Sequence, residues 1–161
     1  MFFKKKKTIL AIELGKLLTS FIQLNTNKGI ERIVTEKTKN ISQEDLRLEY
    51  FIFSVFIADY VVTVKIKDIE IKNLVLDSFY LNIKNHFDDE SFKLMNLKLD
   101  AYAKIIRENK DWSIIVQNLG FAFSRKILDE VDLILSLRIG EEFVQLSKVV
   151  DELIQESKLI T

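Results

Sequence analysis

This chain has no cysteine and no proline, only four glycines and a single histidine among 161 residues. Without cysteine there is no disulfide framework and no thiolate nucleophile. Without proline, and with so little glycine, turns and element ends fall to Asn, Asp, Lys and Ser. Neither sign of charge is in excess, with 24 Lys and Arg against 24 Asp and Glu. No net field therefore draws the chain to nucleic acid or to a membrane. Long apolar runs are missing as well. The longest, 50–58, lies between Glu49 and Asp59 and falls short of the roughly 20 residues of a membrane span; it reads as a buried strand. Gly-rich phosphate loops, zinc spacings and nucleophile motifs are also missing. The sequence thus offers no catalytic, cofactor-binding or metal residue, and the expectation is a protein that is not an enzyme. His86 stands beside Asp88, Asp89 and Glu90, donor types that suit several divalent ions, but a solvated turn explains the same residues.

What is present is a motif written three times. The copies are 69–83 (IEIKNLVLDSFYLNI), 92–106 (FKLMNLKLDAYAKII) and 114–128 (IIVQNLGFAFSRKIL). They are anchored on Asn73-Leu74, Asn96-Leu97 and Asn118-Leu119, spaced 23 and 22 residues apart. Chance recurrence in a chain rich in Asn, Leu, Ile and Lys is the competing explanation. Each copy opens with apolar residues two apart, the period of a half-buried strand. After the Asn the parity switches, which in a straight strand would turn the apolar face outward. A β-bulge or bend at the Asn absorbs the switch; a tight turn at Lys72-Asn73 is the alternative. Long polar links between copies suit a meander of bent antiparallel strands.

In chain order, Met1–Lys7 is a basic tail, MFFKKKK. Residues 8–161 are long enough for one domain with a proper core, and the twelve Phe supply an aromatic interior. Leu10, Leu14, Leu17, Phe21 and Leu24 share one face of an amphipathic helix, although a β-hairpin around 15–20 fits the same residues. Ser42 with Asp45 has the spacing of a helix N-cap, while the alternation of Leu46, Leu48 and Tyr50 favours a strand. Residues 61–66 and 131–139 alternate as strands. Phe143, Leu146, Val150 and Leu153 predict a closing helix over 142–157. Trp112 reads as core. The fold class expected is α+β and β-dominated, a meander of long bent antiparallel strands between an N-terminal amphipathic helix and a C-terminal helix.

Two family resemblances follow from these residues. The opening, KKKKTILAIELGKLLTSFIQL within 4–34, resembles the PilM-type actin-like pilus-assembly proteins, with Glu13-Leu14-Gly15 where that family has Asp-x-Gly. The bulky Leu17 and Leu18 depart from its small-residue phosphate turn. Such kinship implies a cytoplasmic assembly or scaffold protein, here without nucleotide hydrolysis. The strand pattern with Asn-Leu over 61–139 is similar to the LmeA-like lipid-binding β-rich proteins. That resemblance implies a non-catalytic module that binds a lipid or acyl chain in an apolar groove. Phe79, Leu81, Phe121, Phe123 and Leu135 are the expected groove residues. Lys4, Lys5, Lys6 and Lys7 are the expected contacts with an anionic membrane surface, each worth about 1 kcal/mol near it. Glu13 and Lys16 interrupt the apolar run after the lysines and no small-residue cleavage site follows, unlike a secretory signal. The expected location is the cytoplasm or the inner face of a membrane, with no nucleic-acid partner and no cofactor.

Overall fold

Four aspartates and a serine set where this chain turns into helix. Ser42, Asp68, Asp88, Asp111 and Asp132 each accept a hydrogen bond from a backbone N–H of the first turn that follows. Each thereby satisfies a donor that the helix leaves free. The structure, a computed structural model, describes residues 7–161. Behind these caps lie α2 (Gln43–Lys65), α3 (Ile69–Lys84), α4 (Asp89–Glu108), α5 (Trp112–Leu128) and α6 (Leu133–Gln155). Before them is α1 (Ala11–Ile33), whose first turn is closed by the Glu13 carboxylate accepting from the Leu10 N–H at 3.0 Å. Short strands β1 (Lys7–Leu10) and β2 (Ser157–Ile160) pair in parallel, Lys7 opposite Ser157 and Leu10 opposite Ile160. The hydrogen bonds from backbone N–H groups hold Asp88 and Asp132 below the usual carboxylate range. At Asp111 the Ser113 hydroxyl has the largest part in the same lowering.

The β-dominated expectation is overturned: the protein is a helical bundle, and the two described strands are short and parallel rather than a meander of antiparallel ones. All three copies of the repeat are helices. Asn73, Asn96 and Asn118 lie within α3, α4 and α5. The parity switch at each Asn is what a 3.6-residue period looks like when it is read two at a time, so no bulge or bend is present there. In α3, Ile71, Val75, Phe79 and Ile83 recur every four residues, and the last three are buried. The strands expected at 46–50 and 61–66 are the two ends of α2. That at 131–139 is the start of α6, so the closing helix begins nine residues before 142. Residues 11–24 are helical as expected, but α1 continues to Ile33. The stretch Glu13-Leu14-Gly15 sits inside it. Gly15 faces α3 so closely that a Cβ there would stand 2.6 Å from the Val75 carbonyl.

α2 is the axle of the bundle. Its middle, Ile52 to Ala58, is buried without interruption, which is the pattern of a helix surrounded on all sides. α1 packs on α3, α2 and α6; α4 leans on α2 and α5; α5 and α6 form an antiparallel hairpin. Phe53 lies at the centre, edge-on to Tyr102 at 5.2 Å and to Phe123 at 5.6 Å between ring centroids. Such pairs contribute about 0.5–1.5 kcal/mol beyond the area they bury.

Two glutamates are buried in this bundle. Glu142 of α6 holds Arg32 of α1 through both oxygens, at 2.5 and 2.8 Å, and also accepts from the Tyr50 hydroxyl at 2.6 Å. Glu49 of α2 accepts from the Tyr102 hydroxyl at 2.7 Å and from Lys98 at 2.6 Å, with Lys126 at 3.4 Å. The Lys126 ammonium lies 4.1 Å above the Tyr102 ring. Burial raises both phenols well above their ordinary range, with their glutamates adding to the shift. The hydrogen bonds that Arg32 donates to Glu142 raise its guanidinium above the usual range. Burial lowers Lys126 from its usual value, against the pull of Glu49.

Candidate apolar groove on the α5–α6 hairpin

Helices α5 and α6 approach each other closely because small residues stand where they cross. A Cβ on Gly120 would run into the Ser136 backbone, and one on Gly140 would come 2.8 Å from Val116 Cγ1. With the backbones so near, the larger side chains are pushed to either side of the crossing. One side is core: Leu119 and Phe123 of α5, and Leu135, Ile139 and Phe143 of α6, are all fully buried. The other side is an open groove.

That groove encloses about 790 Å³. Trp112, Val116 and Phe121 line it from α5, and Leu133, Leu137 and Val144 from α6. Leu133 and Leu137 are 66% and 70% exposed, so their side chains stand up as lips rather than a floor. Among the described residues the polar lining is Ser113, Gln117, Ser136, Gln145 and one charge, Glu141. At 1.5 Å per residue the α6 side, Leu133 to Gln145, runs for about 18 Å. Trp112 closes one end, half exposed, with its ring 5.2 Å from that of Phe143. The chain's one tryptophan is thus at the rim rather than in the core.

The spacing along α6 explains the groove. Leu135, Ile139, Glu142 and Leu146 are separated by four, three and four residues and form the seam that packs inward. Leu133, Leu137, Gly140 and Val144 have the same four, three and four spacing, displaced by two residues. Such spacing is the signature of a helix–helix seam. α6 carries two seams, and only the inner one is covered along its length.

The residues expected to form an apolar groove do not converge. Phe79, Phe123 and Leu135 are fully buried in the core, and Leu81 is exposed on α3. Phe121 alone of the five lines the α5–α6 groove. Of the expected membrane contacts, Lys4, Lys5 and Lys6 lie outside the described residues, and the Lys7 backbone begins β1. His86 follows α3 in the link to α4, where the neighbouring Asp88 is occupied as the N-cap of α4. Among the described residues no helix is long and apolar enough to cross a membrane. No family model matches the chain, and no curated protein or solved structure matches it.

Proposed function

We propose that this protein is a non-catalytic assembly module whose α5–α6 groove receives an amphipathic helix of a partner protein. The observation that carries the reading is the second seam of α6, Leu133, Leu137, Gly140 and Val144. A helix laid along it meets knobs at the two leucines and the valine, while the fourth position, Gly140, is taken up by Val116 of α5. Its diameter of about 10 Å, side chains included, suits a channel between two helices. An apolar small molecule such as an acyl chain is the competing occupant, since the volume falls within the range of small-ligand sites. It would leave the high leucine lips in water, and among the described residues the lining offers no cation for a carboxylate or phosphate head.

Trp112 makes the test direct, because its fluorescence reports on the groove without a label. A three-heptad peptide with Leu at both seam positions is expected to shift the emission to the blue in a saturable way. Leu137→Glu is expected to abolish the shift while leaving the circular dichroism of the bundle unchanged. A shift produced by a fatty acid and not by the peptide would move the reading to a lipid-binding module. Bound lipid would then make the basic run Lys4–Lys7 worth testing on anionic vesicles at low salt. A concentration-dependent shift with nothing added would make the partner a second copy.

A further inference from the structure

A second cleft lies against α2, and it has different chemistry. α3 and α4 both pack on α2 without packing broadly against each other, and their residues with those of α2 line a cleft of about 370 Å³. Its walls include Phe56 and Tyr60 of α2, Tyr80 of α3, and Leu99 of α4. Phe56 and Tyr60 are nearly parallel, 21° between planes with centroids 6.4 Å apart. At the mouth, Asp100 and Arg107 of α4 pair at 3.0 Å and are both well exposed.

Asp59 of α2 also lines the cleft and is half-buried there. Its carboxylate accepts from the Thr63 hydroxyl at 3.1 Å and from the Tyr80 hydroxyl. Burial raises the Tyr80 phenol far above its ordinary range, with the Asp59 charge next in effect, so Tyr80 stays a donor. These two bonds use two of the four acceptor positions of a carboxylate. Among the described residues Asp59 has no cationic partner, in contrast to Glu49, Glu142, Asp132 and Asp151. With Asp100 and Arg107 cancelling, the cleft retains one negative charge beside the rings of Tyr60 and Tyr80, while Phe56 is buried behind Tyr60.

We infer that this cleft is a binding site for a small organic ammonium ion, with Asp59 as counter-ion and Tyr60 and Tyr80 as the aromatic wall. A quaternary or alkylated amine gains from both, because aromatic faces attract cations and such ions shed water readily. A metal ion would need more oxygen or nitrogen donors than the cleft supplies. The site is independent of the α5–α6 groove.

The test compares choline with its uncharged tert-butyl isostere, a pair alike in shape and different in charge. Binding is followed by two-dimensional NMR on the isotope-labelled protein, with amide shifts in α2, α3 and α4 as the readout. The expected result is saturable binding of choline, at least about tenfold tighter than the isostere. Asp59→Asn keeps the shape and an acceptor for Tyr80, and should remove that preference. Tyr60→Leu keeps the charge and should weaken choline several-fold. Equal response to the two probes, shifts outside the cleft, or unchanged choline affinity in Asp59→Asn would each overturn the assignment.

Discussion

The two buried glutamates solve one problem in two ways. Glu142 and Glu49 are equally hidden, each 2% exposed, and each accepts from a buried tyrosine. They differ in their cations. Glu142 has one arginine, whose planar fork meets both carboxylate oxygens, and the charges cancel. Glu49 has two lysines, which are point charges on flexible stems, and the cluster keeps one positive charge. A fork is fixed by geometry, while an ammonium can swing out to water. The first cluster therefore ties α1, α2 and α6 together, and the second is a looser collar where α4 and α5 meet α2.

The largest expected effect breaks the tighter of the two. Glu142→Ala leaves the buried Tyr50 hydroxyl without its acceptor and the Arg32 guanidinium, 43% exposed, to rehydrate, and should destabilise the bundle by about 3 kcal/mol in urea denaturation. Glu49→Ala should cost about 1–3 kcal/mol, because the Tyr102 hydroxyl is stranded and Lys126, 24% exposed, regains less water than Lys98. Equal losses for the two variants would show that the kind of cation does not matter.

Alkaline titration sharpens the contrast further. Tyr50, Tyr80 and Tyr102 are raised in the folded protein. Unfolded phenols lose protons near 10.0 while folded ones keep them, so stability holds below that pH and falls above it. Lys126 has the opposite sign. Its folded value is lowered from 10.5, so between the two values the unfolded chain binds more protons and stability rises with pH. Thermal melts from pH 8 upward should show that rise before the tyrosine-driven fall, and Lys126→Met should lack it. At neutral pH the same substitution should change stability by no more than about 1 kcal/mol, because it removes a desolvated charge and keeps an apolar stem. This is the smallest of the expected effects.

Parts of this arrangement are written plainly in the chain. Helix α1 shows as a helical recurrence of Leu14, Leu17, Phe21 and Leu24, although the face it packs is Leu14, Leu18 and Ile22, and Leu17 and Leu24 are exposed. Ser42 with Asp45 has the cap spacing found at the start of α2, although the alternation of Leu46, Leu48 and Tyr50 points to a strand. The rest is hidden by the very residues that build the core. A helix buried on all sides, such as 52–58 in α2, has no polar stripe to give it a period. A helix apolar on two faces imitates a strand: Leu133 and Leu137 belong to the outer seam of α6 and Leu135 and Ile139 to the inner, and together they alternate. The groove was legible in the four, three and four spacing of Leu133, Leu137, Gly140 and Val144, but only once α6 is known to be a helix. The cleft on α2 depends on Tyr80 meeting Asp59 across 21 residues, a pairing that no local pattern announces.

The parallel pairing of β1 with β2 has a kinetic side. Lys7 and Ser157 are about 150 residues apart in sequence, whereas α5 and α6 are joined by the four residues Asp129–Asp132. Closing the longer loop from an unfolded chain costs about 3 kcal/mol more in entropy than closing the shorter one. The α5–α6 hairpin, with its outer seam, can assemble early, while the strand pair must wait until the bundle between its partners has condensed. On the way back the order reverses. The strand pair is four residues long and holds little buried surface, so it opens first, and amide exchange at 157–160 should outpace that in the middle of α2.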